Sequence, residues 1–247
     1  MSEFFSNLLV FPFVFTLCLG LAGGVMQGFT GWGGAMLMMP LITLVYPPVE
    51  ALALLVVGGL IISSQLYPGA LREVTWLELR ALLITLVFFT PVGTIFLLYM
   101  DPYIVRRIIG VILIIISFLV MSGWQYRGKQ SGWATALFGG ISGIINGFAG
   151  LGSAILAIYI IAAPGNASIQ RSKIIIASGV IIFTIMIVFS VKGVMDWDLI
   201  LRGILLAPTQ MIGAVIGAHL FNYFPQEYFK KFTLIVIAIL GASAVIF

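Results

Sequence analysis

Apolar residues in this chain come in long runs, interrupted at a few places by glycine, proline and short polar clusters. About 20 consecutive apolar residues cross the hydrocarbon core of a bilayer as a helix. By that measure full spans are expected at residues 49–66, 79–99, 104–122, 168–191, 199–221 and 228–247. Two further apolar regions are broken. Residues 8–26 run into Gln27-Gly28-Phe29-Thr30-Gly31-Trp32-Gly33-Gly34, and the apolar piece after it, residues 35–46, is too short to cross comfortably. Residues 134–145 run into Asn146-Gly147-Phe148-Ala149-Gly150-Leu151-Gly152-Ser153, again followed by a short piece, residues 154–163. Each helical glycine costs roughly 1 kcal/mol against alanine, so a continuous helix through either stretch is not expected.

The two stretches lie 119 residues apart: Gly28, Phe29, Gly31 and Gly33 match Gly147, Phe148, Gly150 and Gly152. Trp76 and Trp197, and Gly93 and Gly213, continue the match at 121 and 120. The pattern predicts an all-α polytopic membrane protein of two repeats. Each repeat has three full spans plus a glycine-broken pair of short or re-entrant helices. Residues 1–123 form the first repeat, 124–133 a polar linker and 134–247 the second. Whether a broken pair crosses twice or returns as a hairpin, three full spans per half invert one repeat relative to the other.

Composition agrees. Of the 247 residues 62% are hydrophobic and 8% charged, where soluble domains carry about 25% charged residues. Mean hydropathy is +1.21. Twelve basic residues scattered over many loops give a net charge of +4, but no patch fit for nucleic acid. They serve better as an orientation signal. With the N-terminus outside, the cytoplasmic loops hold Arg72, Arg80, Arg127, Lys129, Arg171, Lys173, Lys230 and Lys231. The outer side then holds Arg106, Arg107, Lys192 and Arg202. Eight against four places both termini outside the cytoplasmic (inner) membrane and the linker inside. The first residues, Met1-Ser2-Glu3, lack the basic start of a cleavable signal.

No catalytic set is visible, so an enzyme is not expected. One cysteine, Cys18, and one histidine, His219, give no disulfide, metal site or haem site, and no cofactor is expected. No Asp, Glu, Lys or Arg sits in the middle of a span, where such residues mark cation pathways and proton relays. Sodium or metal transport through a carboxylate is therefore disfavoured, and proton coupling stays open without an obvious carrier.

The glycine stretches have a physical use instead. Backbone inside a bilayer leaves helical form only where it is buried in protein or lines a wet cavity. A half-helix starting after such a break offers free N–H groups and a partial positive charge. Two such ends, facing one another, bind an anion without any full positive charge. The candidate substrate-binding residues are Gln27, Gly28, Thr30, Gly31, Trp32, Gly33 and Gly34, with Asn146, Gly147, Gly150, Gly152 and Ser153 from the second stretch. The competing reading is that these are close-packing glycines of the Gly-xxx-Gly kind. Gln65 and Gln210 either line a pathway or bond helix to helix. Ser63, Ser64, Ser178 and Thr184 can return their hydroxyls to their own helix.

Gly28-x-x-Gly31-x-Gly33-Gly34 followed by Pro40-Leu41 resembles the glycine-rich signature of the sulfite exporter TauE/SafE family, also called the toluene-sulfonate uptake permease family. The resemblance extends to chain length, the two-module repeat, the central polar linker and the second glycine stretch. There the chain departs from the pattern, with Ser153 in place of a third glycine and Tyr159 in place of the proline matching Pro40. The resemblance implies secondary transport of small sulfur-containing or organic anions such as sulfite, sulfoacetate and other sulfonates. Export by alternating access is the expected mode, with a small anion and the lipid bilayer as partners. An anion channel, or an importer of carboxylates or other organic anions on the same scaffold, is the alternative; a membrane subunit that moves no solute is a further one.

Overall fold

Among the described residues the long apolar runs become helices, and several of their ends are set by local chemistry. The structure, a computed structural model, describes residues 11–30, 33–122, 124, 126, 128, 131–162 and 166–221. The expected last span, residues 228–247, lies outside the described residues, as do Gly31 and Trp32.

Nine helices make up the regular structure among the described residues. The first, α1 (Phe11–Thr30), is followed by the short α2 (Gly34–Ile42), then by α3 (Pro48–Glu73), α4 (Trp76–Tyr99) and α5 (Pro102–Met121). The remainder are α6 (Gly132–Ala149), the short α7 (Ser153–Ile161), α8 (Ala167–Val191) and α9 (Trp197–Phe221). Asp101, expected to stop a span, starts the next one: its Oδ1 accepts from the Tyr103 N–H at 2.8 Å, with Pro102 at the first helical position. Ser131 caps α6 through the Ala134 N–H at 3.3 Å, and Asn166 caps α8 through the Ser168 N–H at 2.9 Å. Each cap satisfies an amide the helix leaves unpaired.

Two sequence expectations are corrected. The helix α1 runs through Gly28 to Thr30, so the first break begins only after residue 30. Tyr67-Pro68-Gly69, read as the end of a span, instead lies within α3. There the segments Pro48–Ser64 and Tyr67–Glu73 meet at 64°. Pro68 has no N–H for the Ser64 carbonyl and its ring crowds that turn, which bends a helix without ending it.

Among the described residues, five helices are long and apolar enough to cross a membrane, with α3 a sixth if its two segments count as one span. In those five only 33–44% of the most apolar stretch is buried. The rest faces outward and is itself apolar, including Phe88, Phe118 and Val215 at 71%, 75% and 72% exposure. An outward apolar surface this extensive needs lipid around it. The protein is a multi-pass helical membrane protein.

The packing is reciprocal. The helix α1 lies along α9, and α6 lies along α4; these are the two most extensive helix contacts. Glycines make both possible. A Cβ at Gly24 or Gly28 would stand 2.2 and 2.0 Å from the carbonyl oxygens of Gln210 and Ala214 on α9. At Gly147 it would stand 2.1 Å from the Thr90 oxygen on α4, and at Gly93 it would stand 2.0 Å from the Ile144 oxygen on α6. Small residues let backbones approach this closely, the main source of helix association in lipid. Between these pairs, α3 and α8 pack against each other.

Each short helix folds back along the helix before it. Met38 of α2 lies against Gly23 of α1, and Gly34 lies against Gln27 and the Gly23 carbonyl. Ser142 of α6 donates to the Gly152 carbonyl at 2.7 Å. Thr135 and Tyr159 share a hydrogen bond of 2.6 Å, and Phe138 stacks on Tyr159 at 4.8 Å. Ser142 faces Gly152 while Thr135 faces Tyr159, so α7 runs antiparallel to α6. The second broken pair is a helical hairpin.

Candidate anion site between two helical hairpins

The turn ends of both hairpins line one central cavity of about 150 Å³. Gln27, Gly33 and Gly34 enter it from the first hairpin, and Asn146, Gly150 and Ser153 from the second. The middle of α3 and α8 closes the sides. Residues of those helices lie in the wall as pairs 119 apart: Leu55 with Ile174, Gly59 with Ser178, Ser63 with Ile182. Gln27 with Asn146 and Gly34 with Ser153 extend the same spacing to the hairpins. The sequence repeat is therefore also the plan of the cavity wall.

Polar groups gather at the hairpin side, while α3 and α8 contribute mostly apolar residues beside Ser63 and Ser178. Among the described residues, no Asp, Glu, Lys or Arg lines the cavity. The helix α2 starts at the cavity with Gly33 as its first flanking residue, and no side chain caps it. Its leading N–H groups carry the positive end of the helix dipole. At the start of α7, Asn146 takes part. With its amide turned to suit its neighbours, Oδ1 accepts from the Ser153 N–H at 3.0 Å and Nδ2 donates to the Gly150 carbonyl at 3.2 Å. Asn146 thus fastens the turn between α6 and α7.

Glycine is required at two points here by backbone conformation. Gly33 has φ 95° and Gly150 has φ 70°, left-handed values that a side chain rarely tolerates. They are not equivalent positions. Gly33 is matched in the repeat by Gly152, which has φ −68°. Gly150 closes α6 and Gly33 precedes α2, so the matched positions Gly33 and Gly152 differ in backbone conformation.

Several expected residues stand elsewhere. Gly28 and Gly147 face α9 and α4, and their small size serves helix packing. Gly152 faces the Ser142 carbonyl within its own hairpin, where a Cβ would stand 2.1 Å away. None of the three lines the cavity. Thr30 closes α1, and its side chain lies outside the description, as do Gly31 and Trp32. Conversely, Ser63, Ser178 and Gln210 do line the cavity. Their signal in the sequence was polarity inside an apolar span, which helix bonding explains equally well.

A second, wider cleft of about 430 Å³ lies beside Tyr46, Glu50, Asp196, Asp198 and Arg202. Its one guanidinium is taken by Asp198 at 2.8 Å, and two more carboxylates remain. That balance of charge does not suit an anion. Burial raises the phenol of Tyr46, in the loop beside this cleft, above its ordinary value, with Arg202 opposing the shift.

The fold and cavity define a class: a helical membrane protein with two hairpins whose tips meet at an uncharged, polar-ended cavity. Within that class, the model of the sulfite exporter TauE/SafE family matches residues 16–244, nearly the whole chain, and the protein belongs to this family of membrane transporters. No curated protein and no solved structure matches the chain.

Proposed function

We propose that the protein is a secondary transporter that exports small sulfur-containing anions, such as sulfite or organosulfonates, across the cytoplasmic membrane. The anion sits between the hairpin tips. Its oxygens accept from the backbone at Gly33-Gly34, from the Ser153 hydroxyl, from the Gln27 amide and from the second N–H of the Asn146 amide. The two repeats are inverted, with both termini outside, and transport proceeds as one repeat rocks against the other around the site. Gly31, Trp32 and Thr30 complete the first tip in this reading, while Gly28, Gly147 and Gly152 hold the tips in place.

The observation that carries the reading is the cavity wall. It holds matched polar groups from both repeats and a helix start, but no full charge among the described residues. Such a site favours an anion through dipoles and N–H groups and leaves it free to depart.

Asn146→Asp tests it. An aspartate keeps the acceptor for the Ser153 N–H but loses the donor to the Gly150 carbonyl, so ligand-free Tm is measured beside transport to separate loss of the turn from loss of the anion. The aspartate also places a negative charge in the cavity. At about 5 Å and an effective dielectric near 20, repulsion of a bound anion is about 3 kcal/mol, a loss of roughly 100-fold in affinity. Purified wild-type protein in proteoliposomes is expected to show saturable, counterflow-capable uptake of labelled sulfite or sulfonate. The Asp variant is expected to fold and lose it. Ohmic current without counterflow would mark an anion channel, and unchanged flux in the variant would remove the substrate from this cavity.

A further inference from the structure

Gln210 stands out among the cavity residues. It comes from α9 and is 5% exposed. Among the described residues its amide makes one hydrogen bond, from Nε2 to the thioether Sδ of Met38 at 3.2 Å. A thioether is a weak acceptor, whereas a carboxamide offers two donors and an acceptor with two lone pairs. Buried amides in native proteins are ordinarily matched by carbonyls, hydroxyls or water, and a poorly matched one calls for a reason.

The residue is also held firmly. Gly24 on α1 brings that backbone against the Gln210 carbonyl, where a Cβ would stand 2.2 Å away. A Cβ at Gly58 on α3 would stand 3.2 Å from Gln210 Oε1. Gly24 thus admits the backbone of Gln210 closely, and Gly58 leaves room beside its amide head. In packing, Thr90 corresponds to Ala214, because these residues meet the matched glycines Gly147 and Gly28, and the α4 position corresponding to Gln210 is Leu86. Leu86 is apolar, fully buried and does not line the cavity. The duplicated architecture therefore sends a long polar side chain into the cavity from α9 alone.

We propose that Gln210 is a substrate-binding residue that selects for an oxyanion. Its Nε2–H rests on the Met38 sulfur; when an anion enters, it turns to an oxygen of the sulfite or sulfonate group. The exchange is favourable because a hydrogen bond to a charged oxygen is much stronger than one to a thioether. The proposal rests on the anion-transport reading and adds a donor from a third element to the two hairpin tips. It also makes the site lopsided. One side of the bound anion meets a fixed side-chain amide and the other meets only hairpin ends and hydroxyls.

The test is direct binding of sulfite and methanesulfonate to the purified full-length protein, read as ligand-dependent rise in Tm and as Kd, together with KM for uptake in proteoliposomes. Gln210→Leu and Gln210→Met keep the volume and remove the donor. One hydrogen bond to a charged group corresponds to a Kd about 10- to 100-fold higher. The proposal expects that rise, matched in KM, with ligand-free Tm at or above the wild-type value, since removing a poorly paired buried amide does not destabilise. Wild-type Kd in both variants would overturn it. Affinity lost only alongside a fall in ligand-free Tm would also overturn it, making Gln210 a helix-packing residue. If the wild-type protein neither binds nor moves either anion, the transport reading falls and this proposal falls with it. That outcome is distinct from a loss confined to the variants.

Discussion

A single methyl group at Gly147 tests the packing that positions the second hairpin. In Gly147→Ala the new Cβ would stand 2.1 Å from the Thr90 carbonyl oxygen and 2.9 Å from both the Thr94 nitrogen and its Oγ1. The nearest of these belong to the backbone of α4, so no rotation of a side chain relieves them. Ordinary contact requires α4 and α6 to part by about 1 Å, which also loosens their other contacts. Overpacking of this kind costs about 3 kcal/mol at its upper end. Alanine returns up to about 1 kcal/mol as the better helix former. The net expectation is a loss of about 2 kcal/mol, or roughly 4–8 °C in Tm for a chain of this size. Gly69→Ala is the control. A Cβ there meets nothing within 4 Å, so that variant is expected to melt at or slightly above the wild-type temperature. Thermal unfolding of both variants in detergent decides the matter. Should Gly147→Ala melt at the temperature of Gly69→Ala, the close contact of α4 and α6 would be refuted. Because Asn146 is the adjacent residue, the same displacement is expected to weaken anion binding.

Three further outcomes follow from the contacts already described. Tyr159→Phe removes the 2.6 Å bond to Thr135 inside the second hairpin and is expected to cost about 1 kcal/mol in thermal unfolding. Lys173 pairs with Glu78 at 2.6 Å, but the carboxylate side is 60% exposed. Glu78→Gln is therefore expected to lower stability by less than about 1 kcal/mol, an effect that vanishes at high salt. At the exposed tip of α3, beyond the bend, the hydroxyls of Ser172 and Ser168 donate to Glu73 and hold its carboxyl below the ordinary 4.5. A lowered carboxylate value adds stability above the ordinary value and loses it as pH falls through the folded one. Melting curves of wild-type protein and Glu73→Gln are expected to differ at neutral pH and to converge as pH falls through the lowered value of the Glu73 carboxyl.

The repeat and the broken helix pairs were legible because both leave a mark in spacing. Glycines recur at a fixed offset, and apolar pieces too short to cross a bilayer follow each stretch. The same glycines could not be sorted by sequence. Gly28, Gly147 and Gly152 admit a neighbouring backbone, whereas Gly33 and Gly150 adopt a left-handed turn. Both demands select the residue without a side chain, so only the structure separates them. Pro68 was misread for a related reason. A proline removes one helical hydrogen bond wherever it falls, and whether the helix then stops or bends depends on what the following turn packs against. Here Ala70, one turn beyond the bend, is buried and α3 continues to Glu73. Gln210 was visible as a polar residue in an apolar run, but its direction depends on α1 and α3, which lie more than 150 residues away along the chain.

The reciprocal packing of α1 on α9 and α6 on α4 has a consequence for how the protein is made. Thr90 is already in place when Gly147 emerges, so the α4–α6 pair can close at once. Gly24 must wait for Gln210, 186 residues later. At ordinary synthesis rates that is a delay of about 10–40 s. For that interval the glycine face of α1 sits in the membrane without its partner, open to wrong helices and to quality-control proteases. Two contacts alike in the finished protein thus differ in their histories. Biogenesis defects are expected to concentrate at Gly20, Gly24 and Gly28 rather than at their counterparts on α6.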